Sequence, residues 1–378
     1  MKTPLAWLNL LHNRARSFVA VAGVAFASVL ILMQLGFFTA LQTSATRVFD
    51  QLDFDLAITS PSYRIFSRAG MFPIERLTDA LSVPEVESTA PMWVGLNGWL
   101  NLHGDPPLRR GILIMGVRPS TEAFSLPEVR EHEPLLAQKG RILMDRASRP
   151  EFGPREVGTE TEVGQSRITI AGQFLLGADF SADGAAITGE STFYDLFPWF
   201  PRSQCSVGLV RLRDGVDVEH AAEQLRELMP EDVKVRTRKQ TLVDEEYFWR
   251  TKTSVGTIFL LGVLIAMIVG TGIVYQVLSS DISNRLPEFA TLKAMGYSAS
   301  YLTFTVLSQA GMLAVGGFVP GLIISYGLYE LTEASAHIPM NMSPLIAAFV
   351  FLLSLAMCMV SAVMSLRKVA LADPADLF

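Results

Sequence analysis

Long stretches of this 378-residue chain carry no charge at all. No Asp, Glu, Lys or Arg occurs from Ser17 to Thr46, from Thr253 to Ser280, from Ala294 to Tyr329, or from Ala334 to Leu366. Charged residues make up only 18% of the sequence while half of it is hydrophobic, and the mean hydropathy is +0.33. That balance excludes an ordinary soluble enzyme. Each gap exceeds the roughly 20 residues a helix needs to cross a bilayer, which predicts four transmembrane helices near 18–41, 253–279, 300–328 and 344–366. The first uncharged run is about twice the length of a signal-peptide core, which favours an uncleaved anchor.

Other absences narrow the function. Cys205 and Cys358 are the only cysteines; one falls in the external segment and the other in the last span, so no disulfide framework is available. The formal net charge of −6 comes without a basic stripe, which argues against nucleic acid as a partner. No phosphate loop, nucleophile elbow or HExxH is present, and His12, His103, His132, His220 and His337 are scattered. Asp244, Glu245 and Glu246 read as a solvated face. No catalytic residue, metal site or directly bound cofactor is expected. The spans themselves offer only Gln34, Gln276, Gln309 and small residues, where a channel or ion-coupled carrier places ionisable groups. Gly23 with Ala27, and Gly317 with Gly321, are small residues four apart that allow close helix contact, with packing inside the chain favoured over a dimer seam.

What charge there is sets the orientation. Lys2, Arg14 and Arg16 precede the first span, Arg285 and Lys293 lie between the second and third, and Arg367 and Lys368 follow the fourth. The loop 329–343 has neither residue type. By the positive-inside rule the segment 1–17, the loop 280–299 and the tail 367–378 are cytoplasmic, and residues 42–252 are outside. The expected localisation is a bacterial inner membrane, multi-pass, with both termini cytoplasmic.

The external segment reads as an α+β domain inserted between the first two spans. "DFDLAITS" (53–60) has strand character, "PIERLTDALS" (73–82) reads as a short helix, and "VESTAPMWVGLNGWLNL" with "RRGILIMGV" as a hairpin. "CSVGLVRLR" (205–213), "DVEHAAEQLRELM" (217–229) and "DVKVRTR" (232–238) give strand, helix, strand. Two strand-helix-strand units, about 53–119 and 205–240, thus bracket a Gly- and Pro-rich insert, about 120–204, expected to be a mostly β subdomain. In "DLFPWFPRSQC" (195–205), Phe197, Trp199 and Phe200 are candidates for a partner-facing loop, the alternative being the core of a small subdomain. "TALQTSATRVFDQL" and "QTLVDEEYFWRTKT" can continue their spans outward as paired helical stalks, with Tyr247, Phe248 and Trp249 as an interfacial aromatic belt.

The polar passage between the second and third spans is "NRLPEFATLKAMGYS" (284–298). Pro287 suits the first turn of a helix, Gly296 suits its stop, and Leu286, Phe289, Leu292 and Met295 form an apolar stripe. The result is a short cytoplasmic helix able to offer Phe289 and Glu288 to a protein partner. The alternative is an interfacial helix that only anchors the loop.

"NRLPEFATLKAMGYSASYL" closely resembles the cytoplasmic segment after the second span in ABC-transporter permeases of the MacB/FtsX type, and its wording looks most like the DevC branch, from DevBCA exporters. The order of one span, large external domain and three further spans, and a closing "ALADPADLF" like the family's "DPA" tails, extend the resemblance over the whole chain. No fused ATPase domain is present in these residues, unlike MacB. The resemblance implies a permease that works as a homodimer, in which Arg285, Glu288, Phe289, Thr291, Leu292, Lys293, Met295 and Gly296 form a coupling helix docking on a separate cytoplasmic ABC ATPase, DevA-like, which uses the ATP. It implies a periplasmic domain with a Porter part fitting the two strand-helix-strand units and a Sabre part fitting the insert. Motion of that domain, a DevB-like adaptor of membrane-fusion type and a TolC-like outer-membrane duct would then export glycolipid or other amphiphilic cargo, with membrane lipid around the spans. The alternatives are a lipoprotein-extracting permease of the LolC/LolE kind and an FtsX-like regulator of cell-wall hydrolases, whose external domain is usually smaller.

A cysteine placed at Ala294 is expected to be labelled only from the cytoplasmic side, and cysteines across 335–340 only from outside. Labelling of position 294 by an impermeant reagent added outside inverts the topology.

Overall fold

The computed structural model describes residues 14–102, 107–177, 182–285, 291, 295, 299–336 and 340–370. They divide into an α+β unit, Leu41–Thr253, and a helical unit built from the residues before and after it. The expected fold class is found: four membrane-spanning helices, with the α+β domain inserted between the first and the second.

Helix α1 (Arg14–Asp50) begins in the helical unit and continues from Leu41 into the α+β unit. After it come β1 (Leu56–Thr59), β2 (Phe72–Pro73), α2 (Glu75–Ala80), β3 (Val86–Asn101), β4 (Leu108–Val117) and α3 (Pro127–His132). β5 (Arg141–Asp145), β6 (Glu160–Val163), β7 (Ser166–Phe174), β8 (Ala185–Gly189), α4 (Glu190–Leu196) and β9 (Gln204–Cys205) follow. The unit closes with β10 (Val207–Leu212), α5 (Val218–Leu228), β11 (Lys234–Thr237) and α6 (Arg238–Thr251). Helix α5 starts where Asp217 accepts a hydrogen bond from the Glu219 amide, an N-cap, and buries Ala221, Ala222 and Leu225 on one face.

All strands but the small β2–β9 pair belong to one sheet, in the order β11-β1-β10-β3-β4-β8-β5-β7-β6. β6 also pairs back onto β3 at Trp99↔Val163 and Leu100↔Glu162. The circuit β3-β4-β8-β5-β7-β6 therefore closes on itself, while β11-β1-β10 extends from the first half of β3 as an open sheet. The strands of the insert thus share one sheet with those of the two flanking units. The reason is β3 itself: at sixteen residues it is long enough to serve the open sheet at Val86–Met92 and the closed circuit at Trp99–Leu100.

Both faces of this sheet are buried, which explains why β1, β8 and most of β4 and β10 read as unbroken apolar runs. Along β4, Ile112 and Ile114 enter a core with Leu77 of α2, Leu225 of α5 and Phe193 of α4. Leu113, Met115 and Val117 enter another with Val48 and Phe49 at the end of α1, together with Phe66, Phe124 and Phe174. Trp99, at the β3–β6 closure, is 1% exposed, donates its indole N–H to the Phe152 carbonyl at 3.0 Å and meets the Phe152 ring edge-on at 6.0 Å.

The helical unit adds α7 (Ser254–Asn284), α8 (Ala299–Ala336) and α9 (Pro344–Ala370) to the first part of α1. Its small residues pack within the chain. A side chain at Gly317 or Gly321 would meet the Val21 or Ala25 carbonyl of α1 at 2.9 Å, so only glycine lets α8 approach so closely. Ser28 and Ser354 share a hydrogen bond at 3.0 Å, and Ser361 donates to the Thr271 carbonyl of α7 at 2.8 Å. Helix α7 leaves Ile258, Leu261, Ile265 and Ile268 exposed along one side.

Because Trp99 seals the β3–β6 closure, Trp99→Ala is expected to destabilise the protein by about 3–5 kcal/mol. Trp199→Ala, which removes a ring that is 67% exposed, should leave the melting temperature near the parent value. Equal shifts for the two variants would show that the closure contributes nothing.

Candidate functional site

Two places in the structure can connect motion to work. One is the polar passage after α7. Arg285 is 9% exposed and paired with Asp281 one turn earlier, Nε to Oδ1 at 3.3 Å. Arg285 thus makes an ion pair within its own chain. Thr291 and Met295 are exposed, and the Met295 amide donates to the Thr291 carbonyl at 3.0 Å, one helical turn. Glu288, Phe289, Leu292, Lys293 and Gly296 lie outside the described residues.

The other is a junction inside the α+β unit, where the end of α1 meets the start of α6. A helix end leaves carbonyls without intrahelical partners. Here the Arg238 guanidinium donates to the Phe49 carbonyl at 3.0 Å, to Asp50 at 3.4 Å and to Leu52 at 3.3 Å, and lies 5.2 Å from the Phe54 ring. Arg238 is placed for this by a capping box: the Gln240 amide donates to Thr237 Oγ1, and Gln240 Oε1 accepts from the Thr237 amide. Two residues before Arg238, Arg236 donates to Thr59 Oγ1 at 2.7 Å, pairs with Asp244 at 2.9 Å and stacks over Tyr63 at 5.6 Å.

Glu245 corrects the sequence reading of its acidic run. Asp244 and Glu246 face solvent, but Glu245 is 2% exposed. Its carboxylate accepts from the Tyr63 hydroxyl at 3.0 Å and from the Phe66 amide at 2.9 Å, fastening α6 to the loop after β1. Burial first, and then the neighbouring Glu245 charge, push the Tyr63 hydroxyl well above its ordinary pKa, so it remains a donor. Trp249 is also buried, one turn beyond Glu245, which removes it from the expected aromatic belt and leaves Tyr247 exposed there. Thr241, Glu245 and Trp249 recur every four residues on the buried face of α6; that spacing is the sequence signal that could have found them. Helix α6 does not run on unbroken into α7: Thr251 and Thr253 hydroxyls turn back onto the Tyr247 and Trp249 carbonyls, and Lys252 and Thr253 break the helix.

The end of α1 is gripped from the insert as well. A side chain at Gly177, which has φ +96°, would run into the Arg47 guanidinium. Asp145, 1% exposed, accepts from the Ala147, Leu176 and Gly177 amides at 3.0, 3.0 and 3.2 Å. Burial raises the Asp145 pKa, against the pull of those amides and of the Arg47 charge. The junction thus binds stalk, sheet and insert into one block. No group of three or more metal-ligating side chains occurs among the described residues.

The partner-facing loop is only partly presented. Phe197 and Phe200 are 2% and 5% exposed, packed on Phe193 of α4 at 4.5 and 5.5 Å between ring centres. The short loop forces these two rings inward and leaves Trp199 alone outside.

Comparison with known proteins agrees with this architecture. Residues 17–228 match the MacB-like periplasmic core domain, and residues 258–374 match the FtsX-like permease C-terminal domain. An ABC transporter permease of Methanocaldococcus jannaschii is 28% identical over 137 residues, which are 34% of this chain and 33% of that relative's length. The periplasmic region of MacB from Actinobacillus actinomycetemcomitans aligns with 51% of this chain and 92% of its own, at 14% identity and a TM-score of 0.36. The extracellular domain of the ABC-type transporter YknZ from Gram-positive bacteria aligns with 48% and 98%, at 12% identity and a TM-score of 0.34.

If Arg238 holds the two stalk ends together, Arg238→Ala removes its bonds to the Phe49, Asp50 and Leu52 carbonyls, of which Phe49 still accepts from the Leu52 amide at 3.3 Å, at about 1–3 kcal/mol for each carbonyl left buried and unpaired. Limited proteolysis should then cut between Asp50 and Asp55 faster than in the parent, with Arg238→Lys intermediate because an ammonium cannot span the same fork. Parent-like cleavage in Arg238→Ala would remove the clamp role.

Proposed function

This chain belongs to the MacB-like ABC-transporter permeases with an FtsX-like C-terminal domain, and we propose that it is the membrane subunit of an exporter of the DevC branch, driven by a separate cytoplasmic ATPase. In this reading the passage 285–296 docks on that ATPase, both termini are cytoplasmic, and the α+β domain works in the periplasm. The observation that carries the proposal is the stalk junction. Helix α1 runs without a break from a membrane span to the carbonyls that Arg238 caps, so displacement of the span end is delivered to a block already tied to the sheet and insert. The spans support mechanical transmission over passage of cargo through the bilayer. Their buried polar contacts are serine, threonine and tyrosine hydroxyls bonded within the bundle, such as Ser28 to Ser354 and Tyr329 to the Leu32 carbonyl.

The exposed apolar side of α7 is available to bilayer lipid and to a second copy of the chain, the homodimer. The cargo is an amphiphile such as a glycolipid, delivered through a DevB-like adaptor to a TolC-like duct. The large closed circuit of strands favours this over an FtsX-like regulator, which has a smaller external domain; a lipoprotein-extracting permease shares the topology, and lipoprotein release to a soluble chaperone would distinguish it.

Phe289→Asp and Glu288→Lys are each expected to abolish copurification of the partner ATPase and cargo-stimulated ATP hydrolysis. An unchanged complex and an unchanged rate in both variants would overturn the docking assignment.

A further inference from the structure

The loop that leaves Trp199 outside also borders a hollow of the α+β unit. This hollow, about 760 Å³, runs past Lys139, Arg167 and Arg202, and the only acid on its wall is Asp195. A second hollow of about 470 Å³, with Glu190 in its wall, also borders Tyr194 and Arg202. The two share those residues, so together they form an elongated groove crossed by one ridge.

The ridge is rigid. The Arg202 guanidinium stacks over the Tyr194 ring at 5.6 Å, and the Tyr194 hydroxyl donates to the Arg202 carbonyl at 3.2 Å. Trp199 is fixed too, edge-on to Phe197 at 6.0 Å and 5.7 Å from Phe200, between Pro198 and Pro201. A large aromatic ring exposed on a preorganised base gives up little conformational entropy on binding, and Trp, Tyr and Arg are the side chains that carry most interface energy. Nothing in the core requires Trp199 to be aromatic.

We propose that this groove docks an extended acidic segment of a partner protein, with an apolar side chain of that segment stacked on Trp199. Charge and shape select the partner. Lys139 pairs with Asp195 at 3.1 Å and the 77% exposed Arg167 reaches Glu160 at 4.0 Å, which leaves Arg202 without a carboxylate partner among the described residues. Carboxylates on the segment would meet Arg167 and Arg202, in a chain whose net charge of −6 would otherwise repel them. The elongated shape suits several residues of extended chain. An amphiphile would ask for an enclosed apolar slot, and these hollows are open along their length with Ser166 and Thr192 in the wall. The proposal rests on the export reading only for the compartment in which the partner is met.

The test uses the full chain in nanodiscs of zwitterionic lipid and a fluorescein-labelled peptide of alternating Glu and Leu, read by anisotropy. The Glu-Leu peptide is expected to bind at least tenfold more tightly than a Lys-Leu peptide. Arg167→Glu with Arg202→Glu, and separately Trp199→Ala, should each weaken it at least tenfold, while Lys234→Glu on β11 should not. Equal binding of the two peptides, or parent-like affinity in both groove variants, overturns the proposal. So does displacement of the peptide by vesicles of anionic lipid that shift Trp199 fluorescence, which would assign the groove to a lipid headgroup. Because no ATPase is present, a failed coupling-helix assignment leaves this measurement untouched.

Discussion

The structure depends on what happens where α1 ends. A long helix that stops inside a folded domain presents carbonyls that need donors, and Arg238 supplies three of the bonds from a single planar group. Because Arg238 is also the first residue of α6, the bonds that finish one stalk start the other. The guanidinium suits this better than an ammonium: its donors are fixed in a fork and its face lies against Phe54. Around it, Arg236, Glu245 and Tyr63 tie α6 to β1 and the following loop, while Arg47 and Asp145 bring in the insert. Polar groups that are buried and mutually satisfied resist deformation, so these contacts brace the block.

Such a block is what a permease without a polar pore needs. The spans are held by close contacts at glycine and by hydroxyls bonded within the bundle. The periplasmic-type domain has a sheet buried on both faces. Its β3 belongs at once to an open sheet and a closed circuit. The groove beside Trp199 lies on the insert side of that circuit, bordered by residues of β7 and α4.

Much of this was legible in the residues. The charge gaps located the spans because burying an ionised side chain in lipid costs more than a helix of apolar residues can offset. Asp217 before an Ala- and Leu-lined run announced α5, and the paired aliphatic runs around residues 86–117 announced the hairpin. Other features were not legible. Asp244, Glu245 and Glu246 look alike in sequence, yet only Glu245 falls on the face that α6 buries, and it is stable there because Tyr63 and Phe66, about 180 residues earlier, supply donors. Within the insert, β6 pairs with β3 across more than sixty residues, a contact no local pattern records.

By itself the sequence determined the membrane class, the number of spans and the identity of the short elements, since each follows from local periodicity, capping and the cost of charge in hydrocarbon. Only the tertiary structure decided which polar side chains act as joints. Arg236, Arg238 and Glu245 are ordinary surface residues until distant backbone carbonyls, amides and a tyrosine are brought within hydrogen-bond reach, and the folding of β3 through both halves of the sheet is what brings the domain together around them.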